Sequence, residues 1–275
     1  MRFGTLTPWT ESWFVDEVRD LGDAAALRCG SDPSFRWGNL LVLKAPMVPG
    51  TRGRWEARFA EAFEDVPGID HVTFAWTGGD GALDELEAAG YEPDRNTVRV
   101  ATAAQLEDAG PVPHGFDLRP VDGDDWGAVL AMQLAECLPQ DAAEDASAYR
   151  THRERRIAVY RDVAAGRRPG LRGAWYLATL HGEPAGTMGV YVRDGLGRFQ
   201  FVLVAAEHRR KGVATAMVRA VAQEGIERWG AKRLLIVGDE GTPADAIYAR
   251  LGFREVPAER YVGACRKGPP ARPDA

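Results

Sequence analysis

The sequence predicts a mixed α/β fold built as two related halves. Apolar runs typical of buried strands alternate with segments of helical periodicity along most of the chain. At an offset of 212 − 50 = 162 residues, Gly50 falls on Gly212 and Gly90 falls on Gly252. We interpret this agreement as an internal repeat of one strand–helix–strand–helix–strand unit.

Composition is ordinary for a globular protein, with 45% hydrophobic and 27% charged residues in a chain of 275. The Pro- and Gly-containing stretch Gly110-Pro-Val-Pro113 predicts a linker. We therefore expect an N-terminal domain over 1–110 and a C-terminal domain over 111–275. The number of Lys and Arg residues minus the number of Asp and Glu residues is 10 − 19 = −9 for the first domain and 24 − 21 = +3 for the second. The acidic chain as a whole argues against nonspecific binding of nucleic acid.

The three cysteines, Cys29, Cys137 and Cys265, are far apart and odd in number. They suggest reduced thiols rather than a disulfide framework or a metal site. The N-terminus lacks the pattern of a signal peptide, and no apolar run approaches the length of a membrane span. We expect a cytoplasmic protein without a membrane segment and without a bound metal.

In the N-terminal half, apolar spacing and turn residues predict three helices and two strands. The predicted helices cover residues 10–28, 55–63 and 83–89, and the predicted strands cover 40–43 and 71–76.

In the C-terminal half, a strand and two helices precede a hairpin. The strand covers residues 116–121, the helices 126–138 and 146–165, and the hairpin and its following strand 174–180, 185–193 and 198–204. Further along the chain we expect a strand over 233–237 and a helix over 243–251. The second of the early helices is basic and contains His152.

Residues 205–212 form a predicted turn, which we call the central turn. It follows the strand that ends at Val204 and leads into a helix that contains Val213 and Met217 on one face. The first amides of a helix lack intrahelical partners and lie at the positive end of its dipole, so they bind phosphate oxygens. Gly212 permits a close approach, and Arg209, Arg210 and Lys211 add positive charge. The turn is neither a Walker A loop nor a G-x-G-x-x-G loop.

The segment Arg209-Arg210-Lys211-Gly212-Val213-Ala214 resembles the pyrophosphate-binding signature Q/R-x-x-G-x-G/A of the GNAT superfamily of N-acetyltransferases. Downstream, Ala246-Ile-Tyr248-Ala-Arg-Leu-Gly252-Phe253 resembles the family's A-x-x-x-Y-x-x-x-G-F segment. The two matches occur in the order that the family has, and the resemblance covers roughly residues 115 to 265. It implies a tandem GNAT-like fold with a complete C-terminal domain and an incomplete N-terminal copy.

The resemblance also implies a site for acetyl-CoA. The phosphates of the coenzyme would bind Arg209, Arg210, Lys211, Gly212, Val213, Ala214 and Thr215, and its pantetheine arm would lie along Val202, Leu203 and Val204. A splay or bulge in that strand would free a backbone amide near Leu203 for the acyl oxygen.

Tyr248 is the candidate general acid, because a phenol is protonated at neutral pH and can donate to a departing thiolate. No general base stands out among the conceivable residues, which are Glu136, His152, Glu207, Asp239 and Glu240, and a water chain would also serve. The family often has Asn where this chain has Gly241, which puts one contact with the pantetheine in doubt.

The N-terminal copy lacks the corresponding residues. At the offset of 162, Met47 faces Arg209 and Leu86 faces Tyr248, while two prolines interrupt the loop from Pro46 to Pro49. We expect this half to be inactive and to extend the sheet, wall the substrate cleft or mediate formation of a homodimer.

These observations predict transfer of an acetyl group from acetyl-CoA to a primary amine, by direct attack in a ternary complex. The acceptor would be a small molecule or a peptide and stays unidentified. The alternatives are a non-catalytic module that binds acyl-CoA or another partner, and a nucleotide-binding α/β protein.

Overall fold

In the computed structural model, the described residues are 4–108, 110–137, 143–268 and 270. They form two compact units. The N-terminal unit comprises Met1–Val98, Gly238–Gly241 and Val256–Ala275, and the C-terminal unit comprises Arg99–Val237 and Thr242–Glu255. This grouping differs from the division into 1–110 and 111–275, which stays a prediction about the domains.

The chain forms a mixed succession of strands and helices. Up to residue 108 they are α1 (Leu6–Glu11), β1 (Glu17–Asp20), β2 (Ala24–Arg28), β3 (Leu40–Leu43), α2 (Arg52–Ala62), β4 (His71–Thr77), α3 (Leu83–Ala88) and β5 (Glu92–Ala101). From residue 110 they are β6 (Phe116–Pro120), α4 (Asp125–Cys137), α5 (Ala143–Ala164), β7 (Arg172–Leu180), β8 (Glu183–Arg193), β9 (Leu196–Val204), α6 (Val213–Glu227), β10 (Arg233–Asp239), α7 (Pro243–Arg250), β11 (Arg254–Glu255) and β12 (Tyr261–Lys267).

The N-terminal unit is a mixed sheet in which the last strand of the chain takes an interior place. Strands β1, β2 and β3 pair antiparallel in sequence, and β3 pairs parallel with β4. Strand β12 lies between β4 and β5 and pairs antiparallel with both. Because β12 bonds on both edges, this sheet is completed by residues from the C-terminal end of the chain.

The helix predicted over residues 10–28 is wrong. The described chain forms the short helix α1, one 3-10 turn at Ser12–Phe14, and the hairpin of β1 and β2. Every residue of β2 is buried, as in a strand whose sheet is covered on both faces, and such a strand has no alternation of apolar and polar residues to reveal its period. A hairpin therefore precedes Leu40, which the sequence did not indicate.

The C-terminal unit has the order that the sequence predicts. Strands β6 to β9 form an antiparallel meander, and β9 pairs parallel with β10. Helix α6 packs on β7, β8 and β9, while α5 packs on β7 and α4 on β8. Among residues 4–108 there are no counterparts of β6 and of the two long helices α4 and α5, so the N-terminal copy is the less complete one.

The internal repeat is visible in the way helices α3 and α7 end. Gly90 and Gly252, which the offset of 162 aligns, both have left-handed backbones, with φ of +83° and +90°. The residue after each glycine donates its N–H to the carbonyl five residues earlier, at 3.0 Å and 3.1 Å. Both halves therefore use the same glycine-dependent helix ending. Within the described part of the chain, no helix has the length and apolar character needed to cross a membrane.

The close packing around Gly252 predicts that an alanine substitution there destabilises the protein more than Gly166→Ala does. A Cβ at Gly252 would lie 1.7 Å from the carbonyl oxygen of Gln105, whereas a Cβ at Gly166, with φ of +70°, would meet nothing within 4 Å. Gly166→Ala should cost about 1–2 kcal/mol for the left-handed backbone alone. Gly252→Ala should cost in addition about 1–3 kcal/mol of overpacking, measured by urea unfolding. Equal losses in the two variants would contradict the close packing at Gly252.

His71 predicts a pH dependence of stability. The side chain is buried, and its Nε2 has no hydrogen-bond partner among the described residues. Burial, the largest cause, lowers the pKa of His71 from 6.5 to about 4. The unfolded chain therefore binds a proton at higher pH than the folded chain does, and the free energy of unfolding should fall as the pH drops from about 6.5 towards 4.

The slope that His71 adds to the free energy of unfolding as a function of pH should approach about 1.4 kcal/mol per pH unit within that interval. Unfolding by urea at a series of pH values measures it, and His71→Leu should show a shallower fall than the wild type. Parallel curves for the two proteins would rule out this role of His71.

Candidate functional site

The central turn has the backbone that a close approach by an anion requires. After β9, one 3-10 turn at Ala206–His208 leads to Arg210 and Gly212, whose φ angles are +61° and +79°. Gly212 is the N-terminal cap of α6, and Arg210 and Lys211 are exposed. The left-handed conformation at the cap is one that glycine adopts without a steric cost.

The start of α6 presents backbone donors that the protein does not use. The first intrahelical bond runs from the N–H of Ala216 to the carbonyl of Gly212, at 3.0 Å. Among the described residues, the N–H groups of 210–215 have no acceptor. Together with the helix dipole, they form a site suited to phosphate oxygens.

Arg209 is attached to the protein on two sides. Its Nε donates to the carbonyl of Val204 at 3.2 Å, and its Nη2 donates to the carboxylate of Glu136. Arg209 thereby ties the turn to the end of β9 and to helix α4. The backbone amides, with Arg210 and Lys211, are the more open donors for an anion.

The C-terminal part of strand β9 does not pair with β10. It pairs with β10 only at Leu196–Arg198, opposite Arg233–Leu235. On the other edge, Leu203 and Val204 still pair with Thr187 and Gly186 of β8. Apart from the Val204 carbonyl, which accepts from Arg209, the backbone groups of Val202–Val204 on the β10 side have no partner among the described residues. They could pair with an extended chain in the manner of an added strand.

In the N-terminal unit, the strand that corresponds to β9 keeps its parallel neighbour at the equivalent residues. There Leu41 pairs with Phe74 and Val42 with Ala75. The offset of 162 maps Leu41 onto Leu203 and Val42 onto Val204, which have no partner on β10. The two units thus differ in strand pairing at the position where the C-terminal unit is open.

A β-bulge interrupts β9 beside this open edge. Gly189 pairs with Gln200 but Thr187 pairs with Leu203, so the register shifts between them. Phe201 lies in the bulge with φ of +49°, a rare backbone for an aromatic residue. The position of the bulge agrees with the expectation of a splay or bulge near Leu203.

Tyr248 lies on α7 in the hydrophobic core of the C-terminal unit and is 7% exposed. Helix α7 is fixed by Arg99, whose Nε and Nη2 donate to the two carboxylate oxygens of Asp245 at 2.5 and 2.8 Å.

The candidate bases have different surroundings. Glu136 pairs with Arg209, and Glu240 pairs with Arg260 at 2.9 Å within the N-terminal unit. Glu207 is exposed in the turn, and His152 is half-buried with its ring centroid 6.1 Å from that of Tyr149. This distribution leaves the choice of base open, as the sequence did.

The structure brings together the end of β9, the turn and the start of α6 as one continuous stretch. Three residues near it were missed by sequence reasoning, namely Gln133, Arg153 and Phe201. Their contacts join α4, α5 and β9, and no local pattern in the sequence marks them.

Comparison with known proteins gives a family match that includes this stretch. A sequence model of the acetyltransferase (GNAT) family matches residues 135–253. An uncharacterized N-acetyltransferase YobR of Bacillus subtilis (strain 168) is 36% identical over 73 residues, which are 26% of this chain and 29% of that relative. The chain thus aligns with less than a third of the length of that protein.

Solved structures share the fold over almost the whole chain. A functionally unknown conserved protein from Staphylococcus epidermidis has a TM-score of 0.72 at 12% identity and covers 93% of this chain and 95% of its own. A GCN5-related N-acetyltransferase from Kribbella flavida has a TM-score of 0.65 at 17% identity, with 94% and 93% covered.

A tandem GNAT protein from the clavulanic acid biosynthesis pathway has a TM-score of 0.55 at 17% identity, with 84% and 74% covered. These likenesses confirm the predicted mixed α/β fold of tandem GNAT type. The family match, supported by the Bacillus subtilis relative, shows that the C-terminal half of the chain contains a domain of the GNAT family of N-acetyltransferases.

Proposed function

We propose that the protein transfers an acetyl group from acetyl-CoA to a primary amine of a small molecule or a peptide. The observation that carries the proposal is the free edge of β9 beside a turn with unused backbone donors. Membership of the GNAT family supports acyl transfer as the reaction class.

The coenzyme would bind along the stretch that the structure leaves open. Its pyrophosphate would accept hydrogen bonds from the turn and the first turn of α6, and its amide-containing arm would pair with the edge of β9 as an added strand. The residues in these roles are those of the sequence analysis, namely Val202–Val204 and Arg209–Thr215.

The acceptor amine would attack the thioester carbonyl directly. A C–N bond forms, the amine loses a proton to a base or a water, and the C–S bond breaks. The backbone N–H near Leu203 would stabilise the negative charge that develops on the carbonyl oxygen, an effect worth about 2.7–4 kcal/mol for such donors. Tyr248 would donate its phenolic proton to the departing thiolate.

Binding of the donor predicts a ligand-dependent thermal shift. A ligand at 100 times its dissociation constant stabilises the folded state by about 2.7 kcal/mol. Acetyl-CoA should therefore raise the Tm of the wild type, and Gly212→Glu should abolish the rise, because a carboxylate repels the phosphates. Differential scanning calorimetry measures both effects.

The matched control is Gly166→Glu, which places the same side chain on a left-handed backbone in open space away from the turn. It should keep the shift. If neither CoA nor acetyl-CoA shifts the Tm of the wild type, the acyltransferase proposal is lost. A larger shift with ATP or NAD would favour a nucleotide-binding protein.

Tyr248→Phe tests the general acid. The change removes only the hydroxyl and keeps the ring in the core, so CoA should bind as before. The kcat for acetylation of an amine should fall by about 10²–10⁴, the usual contribution of general acid–base catalysis.

Steady-state kinetics and calorimetric titration with CoA measure the two quantities. Tyr91→Phe, which removes a buried phenol of the N-terminal unit, is the control and should keep kcat. An unchanged kcat in Tyr248→Phe would exclude the phenol as the acid. Binding of acetyl-CoA without turnover of any amine would favour the non-catalytic module.

A further inference from the structure

A buried cation lies against the bulge of β9. The side chain of Arg153, on α5, is 6% exposed, and its Cζ lies 4.2 Å from the centroid of the Phe201 ring. At this distance the guanidinium is attracted by the electrons of the ring face, and the attraction is stronger where water is excluded.

Helix α4 fixes the guanidinium in this position. Nε and Nη2 of Arg153 donate to Oε1 of Gln133 at 2.9 and 2.7 Å, and Gln133 is fully buried. Among the described residues, no carboxylate pairs with Arg153. Burying a cation without a carboxylate carries a desolvation penalty that apolar residues of similar volume avoid. Packing alone therefore gives no reason for an arginine here.

Phe201 has a strained backbone that needs support from its surroundings. A left-handed conformation in a non-glycine residue costs on the order of 1–3 kcal/mol and persists only where neighbouring groups over-determine it. The edge of β9 towards β10 has no partner at residues 199–204, so ladder bonds on that side do not fix the bulge. The guanidinium of Arg153 lies over the ring of Phe201, on the side chain of this strained residue.

We propose that Gln133, Arg153 and Phe201 form a brace that positions the backbone of β9 for catalysis. The brace holds the bulge so that the N–H of Val202 points at the acyl oxygen of the bound thioester. Its members are positioning residues, because they act through the backbone of β9. The inference rests on the proposed function, since it assigns a role in binding the acetyl group.

The vibration of the acetyl carbonyl reports on this hydrogen bond without any acceptor amine. Isotope-edited infrared spectra of acetyl-CoA carrying ¹³C at the carbonyl should show a lower frequency when it is bound to the wild type than when free. In Arg153→Met and in Phe201→Leu, the band should return towards the free value.

Titration with CoA, which lacks the acetyl group, shows whether the rest of the site is intact. The dissociation constant of CoA should stay within about twofold in both variants, a difference of about 0.4 kcal/mol. Phe201→Tyr keeps an aromatic ring under the guanidinium and should keep the shifted band. Gln133→Leu leaves Arg153 in place without its acceptor and provides a second disruption if Arg153→Met fails to fold.

Two further comparisons separate a brace from general damage. Combining Arg153→Met with Phe201→Leu should move the band no further than either change alone, because the residues act as one unit. Arg150→Met is the control on the same helix, since Arg150 is 57% exposed and pairs with Glu154, and it should leave the band unchanged.

The proposal is overturned if the band stays shifted in both Arg153→Met and Phe201→Leu, or if CoA affinity falls together with the shift. An unshifted band in the wild type also overturns it, while CoA binding would still support the coenzyme site. If the wild type binds neither CoA nor acetyl-CoA, the proposed function fails and this inference fails with it.

Discussion

The pairing between β9 and β10 stops after three residue pairs, and the candidate site depends on that early ending. A backbone edge inside a sheet normally has its donors and acceptors occupied, because unpaired buried groups are costly. In the C-terminal unit Val202–Val204 have no strand partner on the β10 side, and the adjoining turn adds unused amides at the start of α6. The bulge at Phe201 and the contacts of Arg209 both lie at the ends of this open segment.

The two halves show that the turn before a helix and the pairing of the preceding strand have separate determinants. Gly50 and Gly212 have nearly the same φ, +81° and +79°, and each precedes a helix. Yet Leu41 pairs with Phe74 where the C-terminal unit has no pair at all. The glycine conformations are needed for the chain to reverse in either half. The missing pairing beside β9 occurs in the C-terminal unit, which is the half where we propose that a coenzyme binds.

Local signals in the sequence predicted what is determined locally. Gly212, the basic residues before it and the apolar face of α6 lie within one short stretch, so the turn and its suitability for an anion were predictable. Residues 24–28 were mistaken for a helix because a strand buried on both faces of its sheet has no alternating pattern. The bulge at Phe201, its contact with Arg153 and the place of β12 depend on residues far apart in the chain, and periodicity contains no information about them.

The interior position of β12 also has a consequence for biosynthesis. The ribosome releases residues 4–108 long before Tyr261–Lys267, yet the sheet formed by those first residues needs this strand between β4 and β5. The first half to be synthesised is therefore the last whose sheet can close, contrary to the usual order in which N-terminal domains fold first. Until β12 is synthesised, the edges of β4 and β5 stay available to other strands, and a nascent chain of this kind would benefit from chaperones that cover such edges.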